Sequence, residues 1–172
     1  LEAYRSLGQV PQLCGVLNNI GMVHTDLGQW SEAEQAFNEA IEASGAVGDV
    51  VTRVLIDVNL AELAIAQEQF SRARTVCTAS LRRARSINDE RAEAELLKQL
   101  GVVARETGHE KFSERHFNRA EGIARARHNV LLQAEIARER SEMLTRQGRF
   151  RETVQNLNRA HQLFTQLRAQ RD

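Results

Sequence analysis

Three carboxamides fall forty residues apart, at Asn19, Asn59 and Gln99. A carboxamide both donates and accepts, so such a ladder can pair with the backbone of a bound segment whatever its sequence. The same residues can instead brace neighbouring helices. Lys98, Arg105 and Arg138 add a positive centre able to take a carboxylate or an acidic side chain. Nothing comparable is present for catalysis. The chain holds no phosphate-cradling Gly-rich loop, nucleophile elbow, zinc-protease motif or kinase signature. Its carboxylates lie on charged helical stretches, where they form solvated i,i+4 pairs rather than acid/base dyads. No catalytic residue is therefore assigned, and the chain reads as a non-enzyme.

The five histidines, His24, His109, His116, His128 and His161, are scattered. His109 and His116 flank Glu110 and Glu114, but His109 falls in a predicted turn and no second pair has metal-ligand spacing. Neither a metal nor a cofactor is expected. Cys14 and Cys77 are too few for a disulfide framework, which fits a reducing cytoplasm. Cys77 reads as a small core hydrophobe.

The elements that position these groups follow from composition and period. With 172 residues and 42 % hydrophobic content, the chain can build one packed domain or a short repeat array, and disorder throughout is excluded. No run of 18 apolar residues and no signal peptide are present, so no membrane partner is expected. Leu1 rather than Met opens the chain, which reads as a piece of something longer. Net charge is zero, yet residues 10–49 hold six acids and no Lys or Arg, while residues 50–172 carry the basic excess. That gradient can steer a charged partner or favour head-to-tail contact between copies. Lys98 and Lys111 are the only lysines, an arginine bias that hints at a bacterial source. Acids interleave with the arginines and stacking aromatics are missing, which argues against nucleic acid.

Sliding the chain against itself by forty residues aligns small residues at Gly21, Ala61, Gly101 and Ser141, and again at Ala40, Ser80, Ala120 and Ala160. Phe37, Cys77, Phe117 and Leu157 share a third register. Turns match at Gly28-Gln29, Glu68-Gln69, Gly108-His109 and Gly148-Arg149, and at Gly48-Asp49, Asn88-Asp89 and His128-Asn129. Four units result, 10–49, 50–89, 90–129 and 130–172. In the first, Val16, Leu17, Ile20, Val23 and Leu27 recur at helical spacing after Pro11, and Gly28 ends the helix. Ser31 followed by Glu34 reads as a capping box opening a second helix, which presents Ala33, Ala36, Phe37, Ala40 and Ile41. Each unit is thus two helices that bury their faces only by stacking on their neighbours.

The chain resembles the tetratricopeptide repeat family. The pattern stands as Leu17, Ile20, Gly21 and His24, followed by Ala33 and Phe37; Leu60, Ala61, Ala64, Ala73 and Cys77 carry it in the second unit, and Leu97, Leu100, Gly101, Ala104 and Phe117 in the third. The fourth departs, with Arg140 where an aliphatic is expected. The forty-residue period is similar to the long-repeat subclass of adaptors and bacterial regulators. The resemblance implies an all-α, right-handed α-solenoid of four helix-turn-helix repeats over residues 10–172, with residues 1–9 ending a preceding repeat's helix.

In that family the first helices line a concave groove that holds peptides. The resemblance places Asn18, Asn19, Met22, Asn59, Glu62, Lys98, Gln99, Arg105, Arg138 and Glu142 on it. The implied function is docking of a peptide or protein segment, as the sensory or regulatory part of a larger cytoplasmic bacterial signalling protein. The alternative is an oligomerisation segment of a signalling enzyme or transcription regulator, in which the apolar stripe Leu157, Leu163, Phe164 and Leu167 meets a further segment or a second copy in a homodimer, Leu163, Phe164 and Leu167 making the end contact.

Overall fold

A computed structural model describes residues 10–169 of the chain. The expected helix end over residues 1–9 lies outside them. The described residues form eight α-helices and no strand. These are α1 (Val10–Asp26), α2 (Trp30–Ala46), α3 (Val50–Ala66), α4 (Phe70–Ser86), α5 (Glu90–Glu106), α6 (Glu110–Ala126), α7 (Val130–Arg146) and α8 (Phe150–Ala169). Odd-numbered helices are the first members of their repeats and even-numbered helices the second.

One turn chemistry explains the regularity. In every three-residue connection the middle residue takes a left-handed conformation, at Gly28, Gly48, Glu68, Asn88, Gly108, His128 and Gly148. The next N–H then reaches back to the last turn of the helix, as Gln29 N–H does to the His24 carbonyl at 2.9 Å and Asn129 N–H to the Ala124 carbonyl at 2.9 Å. This Schellman closure satisfies the helix's orphan carbonyls and leaves one residue before the next helix. Where that residue opens a first helix it is an Asp or Asn that caps: Asp49 accepts from Thr52 N–H, Asp89 from Ala92 N–H and Asn129 from Leu132 N–H.

The predicted capping box at Ser31 does not form. Because Gly28 fixes the turn, Gln29 holds the N-cap position of α2 without a side-chain bond, and Ser31 already lies inside the first turn. Glu34 pairs instead with Arg72 of α4 at 2.6 Å.

The chain divides into two compact units, Leu1–Ala92 and Glu93–Asp172. In the first, α1 packs on α2 and α3, α2 on α3, and α3 on α4. Leu13, Leu17, Phe37, Ile56, Leu60 and Leu63 form its core, with Ile41 packed against them. In the second, α6 packs on α7 and α7 on α8. Paired helices approach closely where the small register falls. A Cβ added to Gly21 would sit 2.5 Å from the Phe37 ring, and one added to Gly101 would sit 2.5 Å from Phe117. The hydroxyl of Ser113 donates to the Gly101 carbonyl at 2.8 Å, fastening α6 to α5 at that point.

Candidate protein-binding faces

In the first unit the amides divide by one helical step. Asn59 Nδ2 donates to Asn18 Oδ1 at 2.8 Å, and both residues are buried. Asn18 in turn donates to the Met22 sulfur at 3.7 Å. The Asn59 amide thus bridges α1 and α3, the bracing arrangement, and its partner is Asn18 rather than Asn19. Adjacent residues on a helix diverge by about 100°, which turns Asn19 onto another face. There it is exposed and lines a cavity of about 330 Å³ with Val16, Ile20, Val23 and His24. Met22 and Glu62 are exposed as well, as are Val51 and Leu55 of α3. Met22 stands in the set expected from the sequence, whereas the exposed Val51 and Leu55 are what sequence reasoning passed over in this unit.

In the second unit the predicted positive centre is already neutralised by the chain itself. Lys98 reaches Glu135 at 2.6 Å and Glu95 at 3.6 Å. Arg105, almost fully buried, pairs with Glu106, Glu139 and Glu142, each at 2.9 Å, and also donates to the Glu139 carbonyl. Arg138 is exposed and pairs with Glu139, while Arg146 joins Glu106 to Glu142. Four cations thus share five carboxylates: Glu95, Glu106, Glu135, Glu139 and Glu142. Burial pushes the Glu106 carboxyl up, but hydrogen bonds and charge from Arg146 and Arg105 outweigh it and hold the group below the usual carboxylate range. Gln99 is buried on the same helix as Lys98.

A second ionic cluster, unforeseen from the sequence, joins α6, α7 and α8. Glu121 is buried and accepts from Arg125 and Arg159 on Oε1 and from Arg140 on Oε2. Arg140 also donates to Asn118 at 2.8 Å. Arg140 is the family departure noted above; Glu121 is a matching one, standing forty residues after Leu81 and eighty after Ile41. Two departures facing each other were the available signal. Burial alone would raise the Glu121 carboxyl, and the arginines Arg140 and Arg159 overcome that and hold it below its usual range.

Of the predicted end stripe, Phe164 is exposed while Leu163 and Leu167 are half-buried. Leu157 of the same stripe is exposed too, and Phe150 and Val154 are exposed apolar side chains of α8 outside it. Cys14 and Cys77 are buried free thiols, and burial together with the charge of Asp57 pushes Cys77 up to about 12. His24 Nδ1 lies 2.5 Å from the Gln29 side-chain oxygen, and His109 holds the N-cap position of α6. Among the described residues no group of three or more His, Cys, Asp or Glu is arranged to hold a metal ion. None of the described helices is long and apolar enough to cross a membrane.

Two family profiles, both described as tetratricopeptide repeat, match the chain over residues 13–47 and 52–126. No curated protein matches it. Among solved structures, the crystal structure of BtubC (BKLC) from P. vanneervenii is similar, with a TM-score of 0.70 at 17 % identity. That match covers 92 % of this chain and 66 % of the other, and at such identity it speaks for the fold alone. The helix pairs, their forty-residue spacing and this likeness agree on an all-α helical-repeat fold of the solenoid class.

Proposed function

The chain belongs to the tetratricopeptide repeat family, whose repeats are generally protein–protein interaction modules, and from that premise we propose that its first-helix faces dock a peptide or protein segment. The observation that carries this reading is the set of exposed side chains on α1 and α3, with Met22, Val51 and Leu55 apolar and Asn19 and Glu62 polar. Apolar area on an otherwise polar helix face supplies affinity, and amides and carboxylates at its edge supply register. In the second unit Arg138 and Glu142 are the exposed members of the set. The buried Asn18, Asn59, Lys98, Gln99 and Arg105 act by holding the helices that present them.

The same reading makes the chain the sensory or docking part of a larger bacterial cytoplasmic regulator. Its arginine-dominated basic residues and its two unpaired thiols support that placement. The test is selection of binding peptides from a random library on the intact chain. Met22→Asp and Leu55→Asp should weaken the selected peptides at least tenfold. Unchanged affinity in both variants would remove the α1–α3 face from the reading.

The exposed row Phe150, Val154, Leu157 and Phe164 favours a second reading, oligomerisation through α8. Light scattering on the chain at low and high salt tests it. A salt-insensitive dimer that Leu157→Asp dissociates supports α8 as the contact, and a monomer throughout removes it.

A further inference from the structure

We propose that the junction of α6, α7 and α8 is an anion-recognition site that takes acidic side chains of a partner peptide through Arg125 and Arg159. The proposal rests on the reading of the chain as a protein-binding module, and it names a surface and a partner chemistry which that reading leaves open.

Within the second unit the two ionic clusters differ in charge balance. On the first-helix side, four cations share five carboxylates, so that side has no surplus positive charge to offer. At the other cluster three guanidiniums, Arg125, Arg140 and Arg159, share the single carboxylate of Glu121. Among the described residues, two positive charges remain uncompensated there.

The geometry divides the labour among the three. Arg140 is the inner one: its side chain is mostly buried, it reaches both Glu121 and Asn118, and its Nε is buried without a hydrogen-bond partner. It serves to hold Glu121 in place. Arg125 and Arg159 are the outer ones, with more than half and nearly a third of their side chains exposed. Both donate to the same oxygen, Glu121 Oε1, so their guanidiniums are held side by side. A guanidinium carries five N–H donors, and each of these commits one to Glu121. Both side chains are partly exposed, and an incoming carboxylate meeting their remaining donors gains short, charge-assisted bonds. Recognition of acidic segments by paired arginines is a general mode of peptide binding.

The probe is tetraglutamate, with tetraglutamine as control, titrated into the intact chain at fixed ionic strength while backbone and arginine Nε–H signals are followed by NMR. Tetraglutamate should move the Arg125 and Arg159 signals and those of the 118–125 backbone, and tetraglutamine should not. Arg125→Ala, a change at an exposed position, should weaken the peptide about tenfold, the loss expected for one charge-assisted contact. Glu121→Gln should strengthen it several-fold by removing the competing carboxylate. If Glu121→Gln does not fold, Arg125→Glu takes its place and should abolish binding. Shifts confined to Lys98, Arg105 and Arg138, or affinity unchanged by Arg125→Ala, would overturn the proposal. So would binding of inorganic phosphate without tetraglutamate, which would mark a site for free anions. Selected peptides that still depend on Met22 and Leu55 would show that such a failure lies with this site and not with the docking role.

Discussion

Arg140 Nη1 donates to Glu121 Oε2 at 2.7 Å across 19 positions, at the register where Ile41 packs against the core that holds Leu60. The first unit fills this junction between a second helix and the next first helix with aliphatic side chains, and the second unit fills it with an ion pair. The two solutions differ in kind. Aliphatic burial is non-directional, whereas a mostly buried ion pair needs both partners in place, because either one alone is an uncompensated charge.

A double-mutant cycle should therefore be strongly non-additive. Glu121→Leu leaves Arg140 mostly buried with Asn118 as its remaining partner and should cost about 3–5 kcal/mol. Arg140→Leu should cost less, roughly 1–3 kcal/mol, since Glu121 keeps Arg125 and Arg159. The double variant restores the aliphatic pairing and should fall within about 1 kcal/mol of the parent or exceed it. Urea denaturation of the four proteins measures the cycle, and additive losses would contradict the register argument.

The small register makes a second prediction. Gly101→Ala places a methyl 2.5 Å from the ring of Phe117, which is fully buried and cannot withdraw. Overpacking of this kind costs about 1–3 kcal/mol, more than the gain in helix propensity of roughly 0.5–1 kcal/mol. The chain contains its own rescue: Ala61 shares a register with Gly101, and Cys77 shares one with Phe117. Adding Phe117→Leu to Gly101→Ala should recover most of the loss in thermal midpoint. If the pair is no more stable than Gly101→Ala alone, the methyl and the ring do not compete for the same space.

These features differ in how far the sequence exposes them. The helix pairs and all seven turns are legible because a left-handed residue recurs every twenty positions, and Gly, Asn or a matched neighbour marks most of them. The opening of α2 is misread because a Ser-x-x-Glu pattern looks the same whether its Ser precedes a helix or lies within it. The Schellman turn at Gly28 decides that, placing the N-cap at Gln29, two residues before Ser31. The register of Asn59 is legible from the forty-residue period, but its partner depends on which of two adjacent asparagines a helix rotates inward. The pairings of Lys98 and Arg105 were hidden for a different reason. Glu135, Glu139 and Glu142 lie more than thirty positions away on another helix, and long flexible side chains find partners that period alone does not specify.

The turns themselves supply a third prediction. Glu68 holds φ 58°, where its Cβ crowds the backbone, while Gly108 holds φ 75° with open space around the position a Cβ would take. Glu68→Gly should relieve a strain of about 1–2 kcal/mol, partly offset by the greater freedom of glycine in the unfolded chain. The net gain should raise the thermal midpoint by roughly 1–3 °C. Gly108→Ala should lower it by a similar amount without any steric contact. Calorimetry of both variants checks the pair, and shifts of the same sign would show that conformation at the turn is not the cause.

Acid should act on the second unit through Glu121 and Glu106. Arginine partners hold both carboxyls below the usual range in spite of burial, so the folded chain binds their protons less readily than the unfolded chain does. The stability they contribute is fully present above the unfolded value of about 4.3 and is lost as pH falls through their lower folded values. The thermal midpoint should consequently be nearly flat from neutral pH to about pH 5 and then fall steeply. Replacing Glu121 and Arg140 together by leucine removes one of the two carboxyls, so the steep limb should become shallower while the plateau stays in place. Midpoints followed by circular dichroism from pH 7 to pH 2 decide this. Equal slopes in parent and double variant would place the acid sensitivity on carboxylates other than Glu121.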